Sequence, residues 1–176
     1  MNRYLKGALG FARGFFAGLF SKGIKNRSIH CRTGIFAGAD LEFDPGSAVV
    51  MEKNVRIRER ASLKVRTGAS LVLKENVYVG PGSIIAARES VRVGEGTLIS
   101  PYVLIYDHDH ETGPGGPCEK RYVCRPVTIG KNCWIGAHSV ILMGTVLGDN
   151  CVVGAGSVIK GEYPAGSRII QKRTSL

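Results

Sequence analysis

From residue 129 to residue 159 an aliphatic side chain recurs at every sixth position: Ile129, Ile135, Ile141, Leu147, Val153 and Ile159. An internal repeat decides a fold before local propensity does, and a run this regular is not a chance event. Four residues after each of the first five stands a small side chain, namely Cys133, Ser139, Thr145, Cys151 and Ser157. Gly130, Gly136, Gly148 and Gly154 directly follow four of the aliphatic positions. In an extended chain the aliphatic residue and the small one share a parity, so both point to the same side. Short strands joined by tight bends then coil into a prism of parallel strands with three hexads to a coil. Cys133 is thereby expected to stack on Cys151, Gly136 on Gly154 and Ile141 on Ile159, with coils about 4.8 Å apart.

The pattern continues upstream with slips, as Val55 and Ile57, Ala61 and Leu63, Leu71 and Leu73, Val77 and Val79, Ser83 and Ile85, Val91 and Val93, Thr97 and Ile99, and Val103 and Ile105. Some intervals are eight residues rather than six. A slip of two preserves the in-out alternation and enlarges only a corner. The coil is expected over residues 45–165, preceded by residues 1–44 as a basic amphipathic helix with its linker, and followed by a tail, 166–176. One interruption, residues 107–126, breaks the hexads with Gly-Pro-Gly-Gly-Pro and regains register at Val127. An irregular excursion of this length inside a repeat is usually functional or disordered.

Lys and Arg total 24 against 14 Asp and Glu, a net charge of +10, and seven of the basic residues precede the first acidic one, Asp40. Within that arm Leu5, Leu9, Ala12, Phe16 and Leu19 or Phe20 recur at helical spacing, with Ala8, Phe11 and Phe15 widening the stripe. Gly7, Gly10, Gly14 and Gly18 each cost such a helix about 1 kcal/mol, so it needs a surface to form on. That surface is the protein's own core, a partner, or an anionic membrane. Lys6 and Arg13 interrupt the apolar run, so it reads neither as a bilayer span nor as a signal peptide. The charge comes with no nucleic-acid-binding motif. Five cysteines without Cys-x-x-Cys spacing suit a reducing compartment rather than a disulfide framework, and Cys133 and Cys151 read as core thiols.

The hexads, the DHDH segment before the excursion, and PVTIGKNCWIG followed by GAGSVIK resemble the hexapeptide-repeat acyltransferases, in the branch that acetylates sugars, antibiotics and surface polysaccharides. The resemblance implies an all-β fold, a left-handed parallel β-helix with an N-terminal amphipathic helix and one excursion loop. It implies a homotrimer with active sites between neighbouring prisms, acetyl-CoA as acyl donor, direct transfer, and no metal. By match with the family pattern, in which the base lies five residues past an inward aliphatic, His110 is the general base, counted from Ile105. Its rival is His108, two residues away on the same side of an extended strand. An unperturbed imidazole titrates near about 6.5, so at neutrality it can accept a proton from an attacking hydroxyl. The implied oxyanion donor is the backbone N–H of Ala137.

On the same resemblance Trp134, Gly136, Ala137, Gly154 and Ala155 line the groove for the pantetheine arm, and Lys160 and Arg168 meet the coenzyme phosphates. The acceptor side takes His108, Asp107 and Gly80, the last standing where related enzymes often carry an asparagine. The usual Gly-x-Pro-Ala segment at the C-terminal end is replaced by IIQKRTSL. His138 reads as a wall residue, and the spaced three-histidine pattern of zinc enzymes on this architecture is not reproduced. The expected activity is O-acetylation of a sugar hydroxyl in a surface polysaccharide or its lipid-linked precursor, by a cytoplasmic enzyme held at the inner face of the membrane through residues 1–21. Alternatives are N-acetylation of a nucleotide amino sugar, a donor on an acyl carrier protein, and a non-catalytic scaffold.

Overall fold

A computed structural model describes residues 3–21 and 27–171. Lys22, Lys25 and residues 172–176 of the expected arm and tail lie outside the described residues. Three parallel sheets form the faces of a prism. The first face runs through seven strands from Arg27–Ile29 to Glu162–Tyr163, the second through seven from Gly34–Ile35 to Arg168–Ile169, and the third through six from Asp40–Phe43 to Val158–Ile159. The chain visits the faces in that order, coil after coil.

The coils close because each backbone N–H at a strand end meets a carbonyl of the next coil, as in Gly34 to Val55 at 2.8 Å, Arg56 to Val77 at 2.9 Å and Gly130 to Leu147 at 2.8 Å. The step between stacked residues is 22 from Asn54 to Asn76, 20 from Ser70 to Ser90, and 18 from Lys131 to Asp149. The upstream slips are thus larger early coils with unchanged alternation, and every inward pair from Val55 to Ile105 is buried. Ile141 pairs with Ile159 and Trp134 with Val152, which sets Cys133 on Cys151 as the hexads require. Cys133 and Cys151 are buried, and burial pushes the Cys133 thiol above its ordinary pKa. Each inward aliphatic kept from water contributes about 1.5–3 kcal/mol.

Three expectations are corrected. The coil begins at Arg27, which pairs with the strand Ala48–Met51, rather than at residue 45, and it ends with Arg168–Ile169 rather than at 165. The first coil escaped notice because its inward Ile29, Ile35, Leu41 and Phe43 alternate with Asp40 and Glu42 on the wall, at the longest step. The excursion is ordered: His108–Gly113 and Gly116–Cys124 form an antiparallel hairpin with a shifted register between His110 and Thr112. The third correction concerns the helix, Arg3–Ser21, which docks on the strands Arg27–Ile29 and Gly34–Ile35. Among its described side-chain positions the buried ones are Gly10 and Gly14, while Leu5, Leu9, Phe11, Phe15 and Phe16 are exposed. A side chain at Gly14 would fall on the Thr33 carbonyl, and one at Gly10 would lie 3.2 Å from the Phe36 ring. The glycines that weaken the helix are the ones that let its backbone reach the coil.

The same closeness governs the coil corners. A Cβ at Gly136 would sit 2.5 Å from the Ala155 nitrogen and 2.8 Å from the Gly154 carbonyl carbon, whereas a Cβ at Gly7 would meet nothing. Gly136→Ala should therefore lose about 1–3 kcal/mol in denaturant unfolding, while Gly7→Ala should be neutral or gain up to about 1 kcal/mol. Thiol labelling of the native protein should modify exposed Cys31 well before Cys133 or Cys151.

Candidate active site

The third face carries the chain from the strand Leu104–Tyr106 into the hairpin, and alternation decides what happens there. After inward Val103 and Ile105 the next inward position is Asp107, so a carboxylate is delivered to a buried corner. The turn that follows Ala87 supplies its partners: Asp107 accepts from the Arg88 N–H at 2.8 and 3.0 Å and from the Glu89 N–H at 2.8 Å. His108 Nδ1 lies 2.9 Å from Asp107 Oδ1. Burial alone would raise the Asp107 pKa, but the hydrogen bonds from His108, Arg88 and Glu89 outweigh it and hold the carboxyl below its usual range. An ionised carboxylate only accepts, so the His108 Nδ1 carries the proton and its Nε2 keeps the lone pair.

His110 reaches the same arrangement by another route. Its Nδ1 lies 3.0 Å from the Cys118 carbonyl across the hairpin. A carbonyl cannot donate, so the proton again sits on Nδ1 and Nε2 is left as an acceptor. The hairpin register sets Tyr122 opposite His110, and the Tyr122 ring lies 4.6 Å from the His110 ring and 5.6 Å from the His108 ring. The Arg88 guanidinium caps the Tyr122 ring at 3.5 Å. His110 is exposed, while His108 is mostly covered.

A cleft of about 300 Å³ is lined by Tyr106, His108, Asp109, His110, Leu142, Met143 and Lys160. A second, of about 260 Å³, meets it at Tyr106 and His108 and is lined by Lys64, Arg66 and Arg88 with Ile84 and Ala86. Lys160, expected at the coenzyme phosphates, lines the histidine cleft. Tyr106, Leu142, Met143 and Arg88 of the clefts, and Tyr122 against the histidine rings, were not singled out from sequence. Tyr106 was within reach, being outward and next to the DHDH segment. Tyr122 and Arg88 were not, because only the hairpin pairing and the shortened coil bring them there.

The remaining site residues gather at the other end of the third-face strands. Trp134 projects from the second face, 53% exposed, and its indole N–H donates to Ser100 Oγ at 3.0 Å. Gly136 packs on Gly154 and Ala155 one coil on. At this corner the Gly136 N–H donates to Val153 and the His138 N–H to Pro101, while the Ala137 N–H meets no acceptor among the described residues, an arrangement that Ala155 repeats one coil on. Arg168 follows Trp134 and Val152 along the same face. Gly80, assigned to the acceptor side, stands in this column as well, with the Ser100 backbone 2.6 Å from where its Cβ would be. Its lack of a side chain is a requirement of stacking. His138 stacks on Tyr102 at 5.1 Å with planes 12° apart, at the strand end opposite to His108 and His110. Within one chain, then, Asp107, His108, His110 and Lys160 form one group, and Trp134, Gly136, Ala137, Gly154, Ala155, Arg168 and Gly80 another.

Residues 126–160 match the family model described as the hexapeptide repeat of succinyl-transferase. That stretch of the coil is similar to the family's repeat. Over 83 residues, 47% of the chain, it is 33% identical to a Dictyostelium discoideum protein provisionally named an acetyltransferase. The match spans 44% of that protein, under half its length. Among solved structures, the polySia-specific acetyltransferase NeuO shares the repeat architecture at a TM-score of 0.65 and 18% identity, over 81% of this chain and 73% of its own. The Bacillus cereus N-acyltransferase AntD, solved with dTDP and 3-hydroxybutyryl-CoA, does so at 0.63 and 22%, over 76% and 72%.

The buried carboxylate at the cleft makes a pH prediction. A carboxyl whose folded pKa is depressed contributes stability that is complete above its unfolded pKa of about 3.9 and is lost as pH falls through the folded value. Asp107→Asn should remove that acid-side dependence, lower stability at neutral pH, and loosen the hairpin. Urea unfolding of both proteins between neutral and acid pH measures all three.

Proposed function

We propose that the chain is an acetyl-CoA dependent O-acetyltransferase acting on a sugar hydroxyl in surface-polysaccharide assembly. The observation that carries this reading is His110: exposed at a cleft, with its Nδ1 proton committed to the Cys118 carbonyl and its Nε2 left to take a proton. In the proposed reaction the acceptor hydroxyl attacks the thioester carbonyl while His110 Nε2 takes its proton. The tetrahedral oxyanion is held by an N–H such as that of Ala137, and its collapse expels the coenzyme thiolate, which recovers the proton from the imidazolium. His108, fixed by ionised Asp107, stands beside it to orient the acceptor.

The two groups of site residues lie at opposite ends of the third-face strands, so one copy does not assemble them. A ring of copies, each presenting its His110 edge to the Trp134 edge of the next, does so with one repeated interface, and three prisms close such a ring. Exposed Leu98, Trp134 and Val158 suit a face covered in that way. The chemical class is supported by the named activities of NeuO and AntD, and the donor by the coenzyme held in AntD. The basic side of the second cleft suits an acceptor carrying phosphate or carboxylate near the reacting hydroxyl. Amide formation on an amino sugar uses the same base and donor, and is separated by the product, since an ester is cleaved by mild alkali and an amide is not.

Calorimetric titration with acetyl-CoA and a mass measurement test the reading without a known acceptor. One saturable site per subunit of a trimer is expected, and a folded trimer that binds no coenzyme would overturn it in favour of a carrier-protein donor or a scaffold. With a competent acceptor in hand, His110→Ala should lower kcat by about 100-fold or more with coenzyme affinity unchanged. His108→Ala should raise KM for the acceptor more than it lowers kcat.

A further inference from the structure

We propose that the outward face of the N-terminal helix is a seat for an anionic bilayer surface. The helix docks on the coil through Gly10 and Gly14, with Phe11 and Leu9 at the rims of the contact beside Gly34 and Phe36, and leaves Leu5, Phe15 and Phe16 facing outward. Leu5, Leu9, Phe11, Phe15 and Phe16 are 42–55% exposed. A helix built to complete the prism's own core would bury that stripe, whereas here the buried positions among the described side chains are Gly10 and Gly14. Five large apolar side chains on one docked helix form the kind of patch that marks an interaction surface.

Charge identifies the occupant. No acidic residue occurs before Asp40, and the helix carries Lys6 and Arg13 among its apolar positions. Arg56 and Arg58 of the coil border the same face beside Lys6 and Phe11. The acid lining that flank, Glu59, is taken up by Arg58 at 2.9 Å, and Arg56 stacks on Tyr78. A second copy seated face to face by two-fold symmetry would set Lys6 and Arg13 against their own counterparts, and Glu59, which lines the flank beside them, is already held by Arg58. Lipid phosphates answer them, and acyl chains receive the phenyl rings. No helix among the described residues is long and apolar enough to cross a bilayer, so the geometry is that of a helix lying in the interface.

Flotation of the full-length protein with phosphatidylcholine vesicles, with and without about 30 mol% phosphatidylglycerol, tests the proposal. The bound fraction should rise about tenfold with the anionic lipid and fall back at high salt. Phe15→Ser with Phe16→Ser should lose about tenfold in binding, and Lys6→Glu with Arg13→Glu should lose the preference for anionic lipid, each with the circular dichroism spectrum and coenzyme titration of the parent protein. Absence of binding to anionic vesicles, or equal binding by the Phe15/Phe16 variant, overturns the proposal. So does a concentration-dependent rise in mass that the Phe15/Phe16 variant abolishes, which would assign the face to a second copy. Coenzyme binding plays no part in these outcomes, so failure here leaves the catalytic reading standing.

Discussion

Backbone N–H groups tie every coil to its neighbours, those of the strands to carbonyls of the coil that follows and many at the corners to the coil before, and nearly everything else in this molecule is a consequence of that ladder. Stacked residues have to be compatible with one another as well as with their own strand. A column of inward positions must be apolar or small, and a column at a tight corner must do without side chains. Gly80, Gly94, Gly130 and Gly136 all sit where a Cβ would press on the backbone of the next coil. The ladder is indifferent to what faces outward, so the walls are free to carry Trp134, the arginines and the hairpin.

The indifference has one exception of chemical interest. Asp107 occupies an inward position by parity, and the strand cannot turn it out without breaking the alternation. Its burial is tolerated because the ladder breaks locally: the shortened coil at Arg88 and Glu89 leaves two N–H groups without strand partners, and the carboxylate takes both. What remains of its acceptor capacity holds His108. The imidazole pair thus rests on a rigid coil, while the hairpin adds the Cys118 carbonyl and the Tyr122 ring. Tautomer, orientation and access follow from these few contacts.

The N-terminal end of the prism meets the ladder problem with the helix. At the N-terminal end the first coil presents backbone groups with no coil beneath, and the glycine face of the helix covers them at close range. Covering an exposed sheet edge is a general need of β proteins, and a helix with a flat glycine face meets it. The same docking leaves an apolar stripe on the outside, so one element both ends the repeat and creates a new surface.

Much of the fold was legible in the chain because a period of six with fixed parity has one economical reading, and the stacking of Cys133 on Cys151 follows from counting alone. The first coil was not legible, since Asp40 and Glu42 on its wall and a 22-residue step hide its four inward apolar positions. Nor was the hairpin, because Gly-Pro-Gly-Gly-Pro marks a break without saying what pairs across it. Of the candidate site, the sequence by itself singled out the Asp107–His110 segment and, through parity, set His108 and His110 on one side, where both line the cleft. Only the tertiary structure decided that Lys160 joins the histidines, that Gly80 belongs to the stacking column near Trp134, and that the helix shows its phenyl rings to the outside. The reason is common to all three: local periodicity sets the direction of a side chain relative to its own strand or helix, whereas what it meets there is set by coils and elements many residues away.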